Sequence, residues 1–193
     1  MAKIPMIADV HLGVPGRLHD IVWSLNVVEA YCARENLDLI FGLGDLFNDR
    51  RALEIDALCA GYDYFSKARQ QHDQRWIWLP GNHDMFLKHS WEINSLRPLS
   101  EVITIIETVK IIKVAGIRFW VLPFIHFESA YMRVLKKIEE QHEDGQSQQN
   151  YLCAVYMSTQ KGKNAQRGYR QLLAERIRSD RCNDKYQHRR ASQ

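Results

Sequence analysis

The chain has 193 residues, of which 46% are hydrophobic, 10% aromatic and 25% charged, with 10 Gly and 5 Pro. These values are typical of one globular domain and exclude collagenous, low-complexity and wholly disordered chains. The formal net charge of +3 is unevenly distributed, since residues 1–155 contain 16 Lys and Arg against 20 Asp and Glu, whereas residues 156–193 contain 10 against 3.

The first 80 residues alternate between short apolar runs and amphipathic stretches. The runs predict strands at 3–8, 38–43 and 75–79, and the amphipathic stretches predict helices at 17–36 and 51–71. This β-α-β-α-β order predicts a mostly parallel sheet covered by helices. Helical spacing predicts two inward faces, one on each helix: Ile21, Leu25, Val28 and Tyr31, then Leu53, Ala57, Ala60, Tyr64 and Ala68.

Three more strands are predicted at 102–107, 109–114 and 117–122, with a hairpin turn at 115–116. A helix at 128–142, a polar loop at 143–150 and a strand at 151–155 follow. We therefore predict one domain over residues 1–155 and a basic tail, disordered or loosely docked, over residues 156–193. The tail is either a solvated extension without function or an arm that binds nucleic acid.

No apolar run reaches the length of a membrane span, and the start, MAKIPMIADVHLG, is not patterned as a secretory signal. We therefore expect a cytoplasmic protein with no membrane partner. The cysteines are far apart and form no C-x-x-C pair, which predicts free thiols at Cys32, Cys59, Cys153 and Cys182.

Polar residues follow each of the first three predicted strands. They are Asp9-Val10-His11, then Gly44-Asp45, then Gly81-Asn82-His83-Asp84. Because parallel strands end at one edge of their sheet, these three groups should converge. Carboxylate, imidazole and amide ligands together suit Mn²⁺, Fe²⁺ or Zn²⁺, and two adjacent carboxylates without a cation would repel each other. The sequence therefore predicts a divalent metal site at this edge.

In this order the three groups resemble the motifs of the calcineurin-like metallophosphoesterase superfamily, D-x-H, G-D and G-N-H-D, over residues 1–125. The sequences GDLF at 44–47 and LPGNHD at 79–84 are most similar to the corresponding motifs of SbcD-type and phage recombination nuclease subunits. The resemblance implies an α/β fold, the αββα metallophosphoesterase sandwich. It also implies a metal-dependent phosphodiesterase that acts on DNA in repair or recombination.

The resemblance also implies roles for individual residues. Asp9 and His11 would bind a first metal ion, Asp45 would bridge two ions and Asn82 would bind the second, with Mn²⁺ the expected metal and Fe²⁺ or Zn²⁺ the alternatives. His83 would meet the scissile phosphate and protonate the leaving oxygen, a task suited to imidazole because it titrates near neutral pH. Asp84 would orient His83.

The sequence departs from the family pattern at two points, and these limit which residues can be assigned the roles of the family's motif residues. Asp45 and Asp49 are one residue further apart than the family's two aspartates, so neither Asp49 nor Arg50 receives a site role. The later H and G-H-x-H motifs are absent, and His126, after the strand at 117–122, is the one candidate substitute ligand. We therefore expect a C-terminally incomplete sandwich whose exposed apolar surface favours self-association.

Three functions remain open at this point. The first is the nuclease, for which the resemblance implies an ATPase partner of the SbcC kind. The second is a truncated, catalytically inactive family member or binding module, which the missing histidines favour. The third is a small-molecule phosphatase or nucleotide phosphodiesterase. The first and third are hydrolases, and only the second lacks activity.

Overall fold

The computed structural model describes residues 3–114, 117–143 and 151–155, all within one compact unit, Met1–Tyr156. Seven strands, three helices and a 3₁₀ turn form in these residues. In chain order they are β1 (Met6–Ile7), α1 (Leu18–Arg34), β2 (Leu39–Gly42), α2 (Ile55–His72), β3 (Arg75–Trp78), the 3₁₀ turn (Arg97–Leu99), β4 (Thr104–Ile105), β5 (Lys110–Val114), β6 (Ile117–Leu122), α3 (Glu128–Glu143) and β7 (Tyr151–Val155).

The first sheet is parallel throughout, with strand order β1-β2-β3-β4. Ile40 of β2 and both tryptophans of β3 pack against the helices in one buried cluster with Leu25 of α1 and Phe65 of α2. Gly42 is required in β2, because a Cβ atom there would lie 2.0 Å from Cδ2 of Trp78. The sheet and helices therefore form the parallel α/β layer that the sequence predicts.

A second sheet, of order β5-β6-β7, packs against the other face of β2. β5 and β6 are antiparallel, whereas β6 and β7 are parallel. Phe41, the neighbour of Ile40 in β2, points away from the helices and stacks on Phe119 of β6 with ring centroids 5.9 Å apart. Alternation along one strand thus supplies both cores. The predicted α/β sandwich is confirmed.

Local interactions make some predicted elements shorter than the hydrophobic pattern suggests. β1 covers only Met6–Ile7 rather than 3–8, and Pro5 has no N–H to extend the ladder. α2 begins at Ile55 rather than at residue 51, so Leu53 precedes the helix. The carboxylate of Asp49 accepts a hydrogen bond from the N–H of Arg51, and this turn competes with an earlier helix start.

The inward face of α1 differs from the prediction at one edge. Leu25 and Cys32 are fully buried, whereas Tyr31 is 43% exposed. The guanidinium of Arg34 instead lies over the Tyr31 ring, with its Cζ atom 5.3 Å from the ring centroid. The buried face therefore follows Leu25, Glu29 and Cys32.

Several predictions fall wholly or partly outside the described residues. These are the turn at 115–116, most of the loop at 143–150, the tail at 156–193 and the thiols of Cys153 and Cys182. Within the described part, Cys32 and Cys59 are free thiols, as predicted. No helix in the described part of the chain is both long and apolar enough to cross a membrane.

The packing of the two sheets predicts the effect of truncating Phe41. Phe41→Ala removes a fully buried ring between the sheets and should lower the free energy of unfolding by about 3–5 kcal/mol. Tyr62→Ala is the control, because Tyr62 is 39% exposed on α2. Urea unfolding of both variants measures the difference. Equal losses would contradict a core between the sheets.

Candidate metal centre

Backbone hydrogen bonds join the loops that follow β1 and β2. The N–H of Asp9 donates to the carbonyl of Gly44 at 3.2 Å, and the N–H of His11 donates to the carbonyl of Asp45 at 3.0 Å. Leu12 continues this pairing through its N–H to the carbonyl of Leu46 at 2.7 Å. The parallel register of the strands therefore extends beyond their ends and fixes the two loops side by side.

This pairing brings Asp9, His11 and Asp45 into one cluster. One ligand atom from each of the three residues lies within 4.8 Å of the other two. Asp45 is buried, His11 half-buried and Asp9 exposed, so the cluster opens to solvent on the Asp9 side. In the described part of the chain this is the one group of three or more His, Cys, Asp or Glu residues spaced to hold a metal ion.

All three cluster residues have a left-handed backbone. Their φ angles are 54° at Asp9, 55° at His11 and 50° at Asp45, values that residues other than glycine adopt infrequently. Among the described residues, only two others besides glycine share this conformation, Asn36 and Asp73. Such conformations persist where the surrounding structure imposes them, and they concentrate at functional sites.

The donor atoms of the cluster fit a divalent cation. Nδ1 of His11 is buried, and in the described part of the chain it has no hydrogen-bond partner. Nε2 of the same ring lies 3.9 Å from Oδ1 of Asp9. Two carboxylates beside an imidazole form a mixed oxygen and nitrogen set that Mn²⁺, Fe²⁺ and Zn²⁺ all accept.

The loop after β3 approaches the cluster closely. The N–H of His83 donates to Oδ1 of Asp45 at 2.8 Å. A Cβ atom on Gly81 would lie 2.2 Å from the same carboxylate oxygen and 2.4 Å from the backbone nitrogen of Asp45. Only glycine therefore fits at position 81, and this explains why the third motif begins with that residue.

The His83 ring is held on two sides. Its Nδ1 lies 2.5 Å from the carbonyl oxygen of Asn48, which only accepts hydrogen bonds, so Nδ1 carries the proton. The ring stands perpendicular to that of His11, with centroids 5.0 Å apart. Nε2 is thus the ring nitrogen left to exchange a proton.

Asp84 does not orient His83, contrary to the prediction from sequence. Its fully buried carboxylate accepts hydrogen bonds from the N–H groups of Gly81, Leu46 and Phe47, at 2.9, 3.3 and 3.1 Å, and from Oγ of Ser95 at 3.3 Å. It therefore joins the loop after β2 to the loop after β3. Burial raises the pKa of Asp84 to about 6, aided by the negative charge of Asp45 and opposed by these N–H donors.

Arg50, which the sequence left without a role, holds the main chain of Asn82. Its Nη2 donates to the carbonyl oxygen of Asn82 at 2.9 Å. In the sequence, the signal for this contact is the arginine that ends the motif at 44–50. The additional residue within that motif departs from the family spacing, so the spacing does not predict the contact. The contact of His83 with the carbonyl of Asn48 had no sequence signal, because any residue type supplies a carbonyl.

His126, the candidate substitute ligand, lies outside the cluster, and so do His89 and Asp49. His89 and His126 are exposed, and the ring of His126 packs against Phe127 with centroids 5.0 Å apart. Asp49 is exposed as well, and the hydrogen bond from the N–H of Arg51 lowers the pKa of its carboxyl group. The described structure therefore gathers Asp9, His11 and Asp45, with His83 beside them, and does not add His126 to that group.

Comparison with known proteins gives a match to one family model and similarity to solved structures. The family model described as "Calcineurin-like phosphoesterase" matches residues 2–175. The nuclease MPE of Pseudomonas putida is 20% identical, over 60% of this chain and 51% of that one, with a TM-score of 0.43. A protein of unknown function from Aquifex aeolicus, AQ665, is 17% identical, over 72% and 73%, with a TM-score of 0.42.

The match to the Pseudomonas putida nuclease spans about half of that protein's length. No curated protein matches the chain.

The bonds of Asp84 predict the effect of replacing its carboxylate by an amide. Asp84→Asn places an NH₂ group against buried N–H donors and should lower the free energy of unfolding by about 1–3 kcal/mol for each donor left unpaired. Asp63→Asn, at an exposed carboxylate on α2, is the matched control. Thermal or urea unfolding at pH 7.5 measures both. Equal stability of the two variants would show that Asp84 does not join the loops.

Proposed function

Since the chain belongs to the calcineurin-like phosphoesterase family, we propose that it hydrolyses phosphodiester bonds with divalent metal ions held at the ends of β1, β2 and β3. The observation that carries this proposal is the cluster of Asp9, His11 and Asp45, whose ligand atoms lie within 4.8 Å of one another beside the His83 ring. Members of this family use divalent metals, and the donor set of this cluster suits such ions.

Four residues would hold two metal ions. Asp9 and His11 would bind the first, Asp45 would bridge both and Asn82 would contribute to the second. We propose Mn²⁺ as the metal, with Fe²⁺ and Zn²⁺ as alternatives, because the set mixes carboxylate, imidazole and amide ligands. Bound cations neutralise charge on the phosphate and lower the pKa of a coordinated water so that hydroxide forms near neutral pH.

His83 would deliver the proton that the leaving oxygen needs. Its Nδ1 proton is engaged by the carbonyl of Asn48, so the exchangeable proton belongs to Nε2. The hydrogen bond from the main-chain N–H of His83 to Oδ1 of Asp45 fixes this residue relative to the carboxylate that would bridge the two ions. Asn48 and Asp45 thus position the catalytic ring, and general acid catalysis of this kind contributes about 10²–10⁴-fold to the rate.

We propose DNA as the substrate, within repair or recombination. Two features of the sequence support this proposal. The motif sequences are similar to those of SbcD-type nucleases, and residues 156–193 contain 10 Lys and Arg but only 3 Asp and Glu. A positive segment binds a polyanion through its phosphates, whatever the base sequence. An ATPase subunit of the SbcC kind is the proposed partner and the cytoplasm the proposed location.

A second candidate is a family member that binds metal but lacks activity. The later His and Gly-His-x-His motifs of the family pattern are absent from these 193 residues, so the three ligands that they would supply have no counterpart here. Fewer anionic and imidazole donors weaken metal binding, and the second ion suffers most. This candidate predicts Mn²⁺ binding without hydrolysis.

The proposed activity predicts hydrolysis of bis(p-nitrophenyl) phosphate that requires Mn²⁺. Asp45→Ala should abolish the reaction, and His83→Ala should lower kcat by about 10²–10⁴-fold, because it removes the proton donor. His19→Ala, at an exposed histidine of α1, is the matched control and should retain activity. Initial rates on equal amounts of folded protein measure all four samples.

The same assay separates the alternatives. Mn²⁺ binding by calorimetry without turnover would support the inactive family member. Faster hydrolysis of the mononitrophenyl ester than of the diester would support the small-molecule phosphatase. Activity that survives in both Asp45→Ala and His83→Ala would contradict the proposed site.

A further inference from the structure

The outward face of α1 carries large apolar side chains in contact with solvent. Trp23 is 63% exposed, Val27 49% and Tyr31 43%. Successive members are four residues apart, so they lie along one side of the helix, and we refer to these three residues as the α1 stripe. The opposite side of α1 carries Leu25 and Cys32, which are buried against the sheet. Docking of α1 on its own domain therefore leaves the stripe uncovered.

The α1 stripe is arranged symmetrically about Val27. Trp23 and Tyr31 each lie four positions from Val27, one on either side. Two antiparallel copies of the helix related by a two-fold axis at Val27 would place Trp23 of each copy opposite Tyr31 of the other. A two-fold interface uses one surface twice, so each contact between unlike residues occurs in two copies. A large aromatic pair would then form on each side of Val27.

The charges beside the stripe follow the same symmetry. Asp20 and Arg34 each lie seven positions from Val27, and their side chains are 62% and 72% exposed. The two-fold axis therefore places Asp20 of one copy opposite Arg34 of the other, twice. A parallel arrangement would instead place like charges together, which is unfavourable. Charge thus selects the antiparallel partner.

The present contacts of these two charges are easily exchanged. Asp20 accepts a hydrogen bond from Nε of Arg17 at 2.8 Å, between two exposed side chains. Arg34 lies 3.7 Å from Glu35 and over the Tyr31 ring. Exposed ion pairs contribute about 0–1 kcal/mol, so exchanging them costs little. Ser24 and Ala30, both small and exposed, flank Val27 at equal distances and leave room for close helix approach.

We infer that a second copy of this chain covers the α1 stripe, in an antiparallel, two-fold pair of α1 helices. Apolar burial of Trp23, Val27 and Tyr31 would supply the affinity, and the two Asp20–Arg34 contacts would set the direction. A single helix pair buries less than about 1,200 Å² in total, the range of weak and transient interfaces. We therefore expect a reversible dimer with a micromolar dissociation constant.

Charge reversal tests this arrangement in the full chain. Asp20→Arg places Arg against Arg34 in both contacts of its own dimer, and Arg34→Asp places Asp against Asp20. Each variant alone should weaken self-association at least tenfold by sedimentation velocity, relative to the wild-type chain. Asp63→Arg, an identical reversal at an exposed position of α2, is the control and should dimerise like the wild type.

An equal mixture of the two variants tests directly whether Asp20 of one copy contacts Arg34 of the other. In the mixed dimer both contacts join Arg to Asp, so Asp20→Arg and Arg34→Asp together should regain wild-type affinity although each associates at least tenfold more weakly alone. Recovery on mixing also shows that both variants are folded. A wild-type chain that stays monomeric throughout the micromolar range, a dimer insensitive to both reversals, or a mixture that fails to associate would overturn the inference.

Discussion

The candidate metal centre depends on three left-handed backbone conformations, at Asp9, His11 and Asp45. Each costs on the order of 1–3 kcal/mol for a residue other than glycine, with Asp, Asn and His at the low end because they tolerate this region best. The hydrogen bonds between the loops after β1 and β2 hold these conformations in place. These backbone conformations turn the three side chains toward one point, where ligand atoms of two carboxylates and an imidazole lie within 4.8 Å of one another. A divalent cation bound there would relieve the repulsion between the two carboxylates.

The rest of the fold maintains that arrangement. Parallel pairing of β1, β2 and β3 places the three loops at one edge of the sheet, and the fully buried Asp84 joins the second loop to the third. Gly81 lets the third loop approach Asp45 until the N–H of His83 reaches its carboxylate. The aromatic cores on either side of β2 anchor the strands themselves. Strain at the site is therefore offset by packing and hydrogen bonding outside it.

Much of this organisation could be predicted from the sequence. Apolar runs that end in Asp-x-His, Gly-Asp and Gly-Asn-His-Asp identify both the strands and the residues at their ends, because a buried parallel strand reads as a continuous apolar run. The role of Asp84 could not be predicted in this way. A carboxylate beside a histidine suggests an interaction with that histidine. Asp84 instead accepts hydrogen bonds from the main-chain N–H groups of Leu46 and Phe47, which are 38 and 37 residues away in the loop after β2, as well as from groups nearer in sequence.

Helix faces were predictable only within one residue position. Tyr31 and Cys32 are adjacent, and both lie at helical spacing from Val28, so periodicity alone does not decide which of them is buried. The structure buries the small thiol and leaves the aromatic ring outside, beside Arg34. That outcome extends the outward apolar surface of α1 and gives it the symmetry from which self-association is inferred.

The location of bound manganese tests the proposed metal centre most directly. Diffraction from crystals grown with Mn²⁺, with anomalous data recorded at the manganese absorption edge, reports where the ion lies without reference to activity. We expect an anomalous peak in contact with Asp9, His11 and Asp45, with Asn82 beside a second ion if two are bound. A peak at another position, or none in a protein saturated with Mn²⁺, would contradict the proposed metal centre.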